Sequence, residues 1–360
     1  MKRIILTVSN DISYDQRMHR ICESLANNGF SVLLVGRKRK HSIPLQTDSF
    51  SKKRLRCLFN SGPLFYAEYN VRLFIFLLFQ PFDILCAIDL DTLLPNLFTA
   101  KLKRKKCLYD AHEFYTEVPE LIGRSFTKKI WEKIAGYGIP KMTASYTVND
   151  SLAAILSNQY HQEFKVVRNV PILVHHEKSK VRKEKFVLYQ GAINKGRGLE
   201  ELVLAMKNLS INLVLIGEGD LTKKIKQLIV DHNLENQVSM KGFVEAKKLR
   251  EYTSNAYIGY NLLDQHSKSY YYSLSNKFFD YIHAGIPSLS NNFPEYKRVN
   301  EKFKVTLLCD LKVEDIVKSI NLLLSNQKLY DELESNCLKA QIEFNWQNEE
   351  KRLLDVYQNI

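Results

Sequence analysis

Hydrophobic and polar positions change their spacing twice within residues 1–36. Residues 3–9 (RIILTVS) are almost continuously apolar, which predicts a buried strand. After a polar stretch, apolar residues recur at helical spacing and predict one buried helix face, formed by Met18, Ile21, Cys22 and Leu25. Gly29 stands where a glycine after a helix is typical, and 30–36 (FSVLLVG) predicts a second strand. The strand–helix–strand pattern is typical of a βαβ unit.

The same alternation continues to the end of the chain. Pro171 and the polar stretch 175–185 predict a linker between two series of elements. Strands are predicted in the first series at 83–88, 106–110 and 144–148, and in the second at 186–191, 212–220 with its glycine turn, 237–242, 256–260 and 287–290. Two successive parallel series predict an α/β protein with two doubly wound, Rossmann-like domains that face a cleft.

Length and cysteine content limit the class of protein. The 360 residues suffice for about two domains. The six cysteines form no CxxC pair and no zinc-spaced cluster, which excludes a disulfide scaffold or zinc module and indicates a reducing compartment. The N-terminal apolar run predicts a strand rather than a signal peptide, and the longest run, at 74–79, is too short to span a bilayer. We therefore expect a soluble, cytoplasmic protein.

Positive charge is concentrated in the first half of the chain. The net charge is +13, of which residues 1–174 carry +10 and the remainder +3. Basic runs at 37–40, 52–56 and 101–106 predict attraction to a polyanion, either nucleic acid or an anionic membrane. No zinc finger, RNA-recognition signature or basic zipper is present, so we expect no nucleic-acid partner. The alternative is a solvated surface with surplus lysine.

The loops that follow predicted strands contain the candidate chemistry, because ligands of parallel sheets bind beyond the carboxyl ends of the strands. His112 comes directly after the strand at 106–110. Lys195 and Arg197 lie in a glycine-rich loop at the start of a helix, where amides and cations together suit a diphosphate. GxxxxGK[ST] and GxGxxG are both absent, which excludes a P-loop and weakens a nicotinamide site. The alternative is a loop that merely caps its helix.

Residues 270–287 form a further candidate site. Ser275 is a predicted N-cap for a helix that runs to Ala284. Asn276 and Asp280 lie one turn apart with Lys277 beside them. A carboxylate there suits a ribose diol, and the lysine suits a phosphate. The alternative is an ordinary capped helix with an internal Lys277–Asp280 pair.

Seven segments, in their order along the chain, resemble one protein family. They are YDQRMHRICESLANNGFSV, DAHE, GAINKGRGLEELVLA, LVLIGEGD, VSMKGFV, SNKFFDYIHAGIP and the closing FNWQ. Over nearly its whole length the chain resembles GT-B glycosyltransferases, specifically the retaining glycosyltransferase family 4 (glycosyl transferases group 1). The resemblance implies an acceptor-side domain at 1–172, a nucleotide-sugar-binding domain at 173–342, and a helix at 343–360 that returns to the first domain.

The resemblance also implies roles for individual residues. His112 matches the histidine that contacts the donor sugar, and Arg197 stands where the family has a diphosphate-binding lysine. Ala192 replaces the usual arginine, which leaves Lys195 and Arg197 as the expected phosphate pair. The loop that closes over donor phosphates and acceptor corresponds to Asn10, Asp11, Ser13, Tyr14 and Arg17. The remaining expected donor-binding residues are Gly191, Gly217, Gly219, Phe243, Val244, Ser275, Asn276, Lys277 and Asp280.

Two sequence features bear on this resemblance. The family's Glu-x7-Glu motif is half present, because Tyr272 occupies the first position and Asp280 the second. The Asp-Leu-Asp at 89–91 is the metal signature of the other glycosyltransferase fold, GT-A, but here it precedes a helix that Asp91 is placed to cap. We therefore expect no metal site.

The function implied by the resemblance is retaining, metal-independent hexosyl transfer without a cofactor. The donor is a nucleotide-sugar, UDP-linked by default, and the acceptor is a hydroxyl of a lipid-linked or polysaccharide glycan in cell-surface glycan synthesis. With the basic first half, this predicts a peripheral protein at the cytoplasmic face of an anionic membrane. The alternatives are a GT-B nucleotide-sugar epimerase or hydrolase, and a non-catalytic basic binding protein on a degenerate GT-B scaffold.

Overall fold

A computed structural model describes residues 1–13, 15–40, 42–174 and 185–360. Backbone contacts divide the chain into two units, the first made of 1–169 and 349–360 and the second of 170–348. The boundaries expected from the sequence were after 172 and 342. The last of these falls inside a helix of the second unit, Gln327–Glu343, so the chain leaves that unit later than expected. The predicted linker at 175–185 lies outside the described residues except for Lys185.

The first unit is built on a seven-stranded parallel sheet in the order β3-β2-β1-β4-β5-β6-β7. The strands are β1 (Arg3–Thr7), β2 (Ser31–Lys38), β3 (Ser51–Arg56), β4 (Ile84–Ile88), β5 (Lys106–Ala111), β6 (Ala144–Thr147) and β7 (Phe164–Val166). Ile4 of the central strand β1 pairs with Val32 of β2 on one side and with Ile84 of β4 on the other. β1 and β4 are buried along almost their whole length, as continuous apolar runs in parallel sheets usually are.

Five helices connect these strands. They are α1 (Gln16–Asn27), α2 (Gly62–Leu78), α3 (Leu93–Lys103), α4 (Ser125–Gly138) and α5 (Asp150–Tyr160). The predicted stripe of α1 is fully buried, and the Asp15 carboxylate caps its first turn by accepting the Met18 N–H at 3.0 Å. No helix in the described part of the chain is both long and apolar enough to cross a membrane.

The second unit has a six-stranded parallel sheet in the order β10-β9-β8-β11-β12-β13. Its strands are β8 (Phe186–Gln190), β9 (Asn212–Ile216), β10 (Val238–Met240), β11 (Ile258–Asn261), β12 (Ser288–Ser290) and β13 (Thr306–Leu308). Its helices are α6 (Leu199–Ala205), α7 (Thr222–Asp231), α8 (Ala246–Asn255), α9 (Lys268–Tyr271), α10 (Asn276–Ala284), α11 (Pro294–Phe303), α12 (Val313–Ser325) and α13 (Gln327–Glu343). Together the two sheets confirm the predicted pair of Rossmann-like domains.

The last helix, α14 (Trp346–Gln358), begins in the second unit and continues into the first. Within the first unit, the Tyr357 hydroxyl lies 3.2 Å from that of the buried Tyr146 on β6. Nearer its start, the buried Glu349 carboxylate accepts the Arg168 N–H at 2.9 Å. These contacts join the C-terminal segment to the sheet of the first unit.

Three strands were not predicted from the sequence. β7 and β13 are only three residues long. β3 has the sequence SKKRLR, which we interpreted as a basic surface run. It forms the edge of the first sheet, where lysines are common because they discourage pairing with other chains. Its Lys52 and Arg54 side chains are 4% and 7% exposed and pair with Asp48 and Asp11, so they are not free surface charges.

Candidate functional site

A buried arginine joins three segments at the carboxyl ends of the first sheet. Arg17 on α1 is only 4% exposed. Its Nη2 donates to Asp110 Oδ1 at 3.0 Å, and its Nη1 donates to the Val167 carbonyl at 3.1 Å. Its Nε lies 3.0 Å from His112 Nε2. Arg17 therefore lies in helix α1 rather than in the loop in which we expected it. Its positive charge is balanced by Asp110 of the same unit.

His112 lies between two carboxylates. Its Nε2 is 2.9 Å from Asp110 Oδ2, its backbone N–H donates to Asp89 Oδ1 at 2.9 Å, and its Nδ1 is 4.0 Å from Asp89 Oδ2. Burial alone would lower the pKa of His112, but the negative charges of Asp110 and Asp89 outweigh burial and the opposing charge of Arg17. The pKa of the imidazole is therefore raised.

The two neighbours of His112 Nε2 have opposite requirements. Asp110 needs a donor, whereas the Arg17 N–H needs an acceptor, and one nitrogen can satisfy only one of them. The raised pKa favours the imidazolium, which donates Nε2–H to Asp110. Burial raises the pKa of Asp110, but Arg17 and His112 hold it below its usual value, so Asp110 remains a carboxylate. In its imidazolium form, His112 has a second donor, Nδ1–H.

Asp89 lies at the end of the neighbouring strand, β4, and forms hydrogen bonds that hold the loop after β5 in place. It comes directly after β4, and its N–H donates to the Asp110 carbonyl at 2.9 Å. Its φ of +56° with ψ of 178° is unusual for a residue other than glycine, and such conformations persist only where surrounding contacts enforce them. Burial raises its pKa. From the sequence, Asp89 was considered only as part of a possible metal motif.

We expected Asp91 to cap a helix, but it does not. It lies inside a 3₁₀ turn, Leu90–Thr92, and its carboxylate accepts a hydrogen bond from the Ser9 hydroxyl. Burial raises the pKa of Asp91 to about 6. Among the residues that the structure describes, no group of three or more His, Cys, Asp or Glu side chains is arranged to hold a metal ion.

The loop after β1 is fixed to the edge of the sheet. Asp11 accepts hydrogen bonds from the Ser13 N–H at 3.0 Å and from the Ser13 and Ser42 hydroxyls, and it lies 3.2 Å from Arg54 Nε on β3. Burial raises its pKa, but these contacts outweigh burial and lower it. Asn10 is exposed and donates to Asp15 at 3.0 Å. Tyr14, the other expected residue of this loop, lies outside the described residues.

In the second unit, two glycine loops are packed backbone against backbone. The Gly191 N–H donates to the Ile216 carbonyl at 2.9 Å, and the Gly217 N–H donates to the Gly242 carbonyl at 2.8 Å. Gly217 has a φ of +131°, and a Cβ there would lie 1.9 Å from the Gly191 carbonyl oxygen. A Cβ on Gly219 would lie 2.1 Å from Asn194 Oδ1. Both glycines are therefore required by close approach to the loop after β8.

Two cations lie next to aromatic rings at this edge of the second sheet. Lys277 on α10 is only 7% exposed, and its Nζ lies 4.4 Å from the centre of the Tyr189 ring. Arg197 lies over Tyr270 at 4.7 Å, and its Nε is buried without a hydrogen-bond partner. Within the described parts of the chain, neither cation has a carboxylate at ion-pair distance. Burial, and then the positive charge of Arg197, lower the pKa of Lys277 far below its usual value.

The other residues expected to bind a donor differ in their exposure and in their hydrogen bonds. Lys195 is exposed, and so is Asn276 at the first position of α10. The Asp280 carboxylate accepts a hydrogen bond from Gln190 Nε2 at 2.8 Å, at the carboxyl end of β8. Ser275 is the residue before α10 as expected, but its hydroxyl donates to Asn261 at 2.6 Å instead of accepting from the helix.

Phe243 and Val244 follow β10. Phe243 is 63% exposed, whereas Val244 is partly buried against the core cluster that includes Leu188 and Tyr281. A ring exposed beside a glycine turn can contact a planar ligand.

Several residues that complete the two sites were not predicted from the sequence. Asp110 and Asp89 follow or end strands, so the strand-end rule that selected His112 could have selected them as well. Tyr189 and Tyr270 gave no local signal, because their contacts are with cations remote in sequence or on other elements.

The chain and its fold are both similar to known proteins. The family model of glycosyl transferases group 1 matches residues 173–340, which lie within the second unit and make up slightly less than half of the chain. No curated protein matches the chain. Sucrose-phosphate synthase from Thermosynechococcus elongatus is similar in structure, with a TM-score of 0.81, 16% identity, and coverage of 100% of this chain and 99% of that chain.

Two further structures contain ligands. Anabaena HepE in complex with UDP-glucose has a TM-score of 0.77 and 12% identity, with both chains covered completely. A variant of S. aureus TarM in complex with fondaparinux, alpha-GlcNAc-glycerol and UDP has a TM-score of 0.74 and 12% identity, with coverage of 100% of this chain and 99% of that chain.

The fold is GT-B. Identities this low relate the structures by fold. The GT-B unit that matches the glycosyl transferases group 1 model is the unit that contains Arg197, Lys277 and Asp280. Membership of family 4 in particular stays a prediction.

Proposed function

We propose that this protein is a retaining, family-4-type glycosyltransferase that moves a hexosyl group from a nucleotide-sugar to an acceptor hydroxyl. The observation that carries the proposal is the pair Arg197 and Lys277, which have no carboxylate partner among the described residues. Keeping a buried lysine charged without a counter-charge costs several kcal/mol, which is why the pKa of Lys277 is lowered. An anionic ligand would remove that cost, and a nucleotide diphosphate supplies adjacent negative charges.

The same cations suit the difficult step of the reaction. As the bond from the anomeric carbon to the diphosphate oxygen breaks, negative charge accumulates on the diphosphate and the sugar becomes oxocarbenium-like. Positive groups fixed in a partly buried site stabilise that charge without reorganising. We propose that Arg197 and Lys277, with Lys195 at the loop surface, do this without a metal ion or cofactor.

The rest of the donor is assigned to residues around this pair. Asp280 is oriented by Gln190 and is proposed to accept hydrogen bonds from the ribose hydroxyls. Phe243 and Val244 are proposed to contact the base beside Gly217 and Gly219, and Ser275 and Asn276 to bind phosphate at the start of α10. UDP is the proposed nucleotide, supported by the UDP and UDP-glucose in the TarM and HepE structures.

The first unit is assigned the acceptor. We propose a hydroxyl of a lipid-linked or polysaccharide glycan, bound near the loop of Asn10, Asp11 and Ser13. His112 keeps the role that the resemblance implies, contact with the donor sugar, and its Nδ1–H is the group available for it. All six cysteines are free and five are buried, which supports a reducing, cytoplasmic location.

The test is nucleotide binding and sugar transfer by the wild-type chain, Arg197→Ala, and the matched control Lys328→Ala, which removes an exposed cation from α13. A thermal-shift screen against UDP, GDP and their sugars finds the donor, because a ligand at 100 times its Kd stabilises by about 2.7 kcal/mol. Loss of one electrostatic contact typically lowers turnover about 10²–10³-fold.

Arg197→Ala should therefore lose at least tenfold in turnover, while Lys328→Ala should be unchanged. Product stereochemistry, read from the anomeric proton by NMR, tests retention. Release of a new free sugar from labelled nucleotide-sugar without acceptor would indicate an epimerase or hydrolase instead. Absence of any nucleotide-dependent stabilisation would refute the donor assignment.

A further inference from the structure

Helix α2 has an apolar face that the rest of its unit does not cover. Its inner face is formed by the buried residues Phe65, Tyr69, Leu73 and Leu77. On the outside, four large apolar residues recur at spacings of seven, four and four residues, and the last of them directly follows the helix. These are Leu64, Val71, Ile75 and Phe79, which are 60%, 59%, 51% and 80% exposed. At that spacing they lie on one side of the helix.

The neighbouring helix also exposes apolar residues, of which Phe98 lies beside Tyr137 of α4, 6.2 Å between ring centres. α3 packs against α2, and its exposed residues include Phe98 and Leu102, four positions apart, at 42% and 68% exposure. Single exposed apolar side chains are normal in folded proteins, whereas a contiguous group marks an interaction surface. We call Leu64, Val71, Ile75, Phe79 and Leu102 the apolar face.

Positive charge lies at one end of the apolar face. Lys103 Nζ donates to the Gln80 carbonyl at 2.8 Å, which fixes the segment 101–106 at the C-terminal end of α2, near Phe79. Four other basic residues of this segment are exposed: Lys101, Arg104, Lys105 and Lys106. Of these, Lys105 pairs with Asp83 at 2.8 Å. The segment therefore keeps a surplus of positive charge.

A groove at the same end is of a size for a small anionic group. It has a volume of about 480 Å³, and its lining includes Arg3, Phe82, Lys103 and Lys105, with Asp83 as its carboxylate. Three cations and one carboxylate make the groove net positive.

Part of the charge in the other two basic runs is buried or paired, whereas Lys38, Arg39, Lys40, Lys53 and Arg56 are exposed. Arg37 is buried and donates to the Asn60 carbonyl at 2.7 Å, while Lys52 and Arg54 are paired with carboxylates. The segment 101–106 is the basic run that lies at the Phe79 end of the apolar face.

We propose that the apolar face and segment 101–106 dock this protein on an anionic lipid bilayer. The apolar side chains enter the headgroup region and the basic residues pair with lipid phosphates, as in interfacial membrane binding. Charge complementarity favours lipid over a second copy of the chain, because a second copy would bring the same positive segment, whereas the cytoplasmic leaflet is negative. This inference goes beyond the proposed function and does not depend on it.

The test is flotation of the full chain with vesicles of phosphatidylcholine alone or mixed with phosphatidylserine. Binding should require the anionic lipid and should fall as salt increases, because salt screens the attraction. Each basic residue near the surface contributes roughly 1 kcal/mol. The triple variant Lys101→Ala, Arg104→Ala, Lys106→Ala should therefore bind about 100-fold more weakly. A matched triple on α12 and α13, Lys318→Ala, Lys328→Ala, Lys339→Ala, should bind as wild type.

A second variant, Ile75→Glu with Phe79→Glu, tests the apolar face and should also abolish flotation. Nucleotide-induced thermal shifts should be unchanged in all variants, so that failure of docking and failure of the donor site are distinguishable. Soluble glycerol phosphate, added as a competitor, distinguishes binding to a bilayer from binding to a lipid headgroup alone. Equal binding to neutral and anionic vesicles, or a dimer in solution that the glutamate variant dissociates, would overturn the proposal.

Discussion

The cations near the candidate sites of the two units differ in whether they have a carboxylate partner. In the first unit, Arg17 contacts Asp110 at 3.0 Å and Arg54 contacts Asp11 at 3.2 Å. In the second unit, Arg197 and Lys277 lie against the rings of Tyr270 and Tyr189, without a carboxylate among the described residues. Both sets are partly or wholly buried, so the difference lies in the counter-charge.

This difference indicates that the paired cations position segments of the fold, whereas the unpaired cations bind a ligand. A paired cation is neutralised by its own fold and holds loops together, and its removal leaves a buried carboxylate uncompensated. An unpaired cation gains its counter-charge from a ligand, so its removal should weaken binding without weakening the fold. The comparison therefore predicts opposite effects of similar substitutions in the two units.

The largest effect is expected for Arg17→Met. This change leaves the fully buried Asp110 with a weaker counter-charge, and breaking a buried pair typically costs about 3–5 kcal/mol. Urea unfolding measures the loss. The control Lys165→Met breaks an exposed pair with Asp355 in the same unit and should cost at most about 1 kcal/mol. Adding Asp110→Asn should recover part of the loss, and a cost below 1 kcal/mol for Arg17→Met would contradict the buried pair.

The next effect concerns pH and Asp91. Its pKa is raised from 3.8 to about 6, so its contribution to stability is fully present below pH 4 and is lost as pH rises through 6. The shift corresponds to about 3 kcal/mol. Asp91→Asn should therefore flatten the unfolding free energy measured between pH 4 and 7. An identical pH profile for variant and wild type would show that Asp91 does not titrate in this range.

Lys277→Met reverses the expectation for Arg17. Removing an unpaired buried cation should leave the unfolding free energy without nucleotide unchanged or higher. Nucleotide diphosphate affinity should fall about 10- to 100-fold, because hydrogen bonds to charged groups contribute about 1.5–3 kcal/mol. In the wild type, affinity should also fall as pH rises through the lowered pKa of Lys277. Calorimetric titration at several pH values measures both effects; an unfolding loss like that of Arg17→Met would remove the distinction between the units.

The smallest effect is expected for Gly217→Ala. Its positive φ and the 1.9 Å approach to the Gly191 carbonyl oxygen predict a loss of about 1–3 kcal/mol. Gly136→Ala is a matched control, because it lies in α4 with no atom within 4 Å of an added Cβ and should be neutral or stabilising. Thermal unfolding compares the two, and equal Tm values would mean that the loops after β8 and β9 separate easily.

Much of the fold was predictable from local spacing. The buried stripe of α1, the strands β1, β2 and β8, and the start of α10 after Ser275 all follow from patterns within a few residues. β3 was not predictable in this way, because its residues are charged and its pairing with β2 is decided by the sheet edge. Its lysines and arginines gave a surface signal, although Lys52 and Arg54 are paired inside the unit.

The sequence by itself determined the order of strands and helices, the position of His112 directly after a strand, and the positions of Arg197 and Lys277 at the starts of helices, with glycines around Arg197. Only the tertiary structure decided which of these charges are neutralised. Arg17 meets Asp110 across 93 positions of sequence, and Lys277 meets Tyr189 instead of a carboxylate. Local propensity acts over a few residues, whereas ion pairing and desolvation depend on distances in space between segments far apart in the chain.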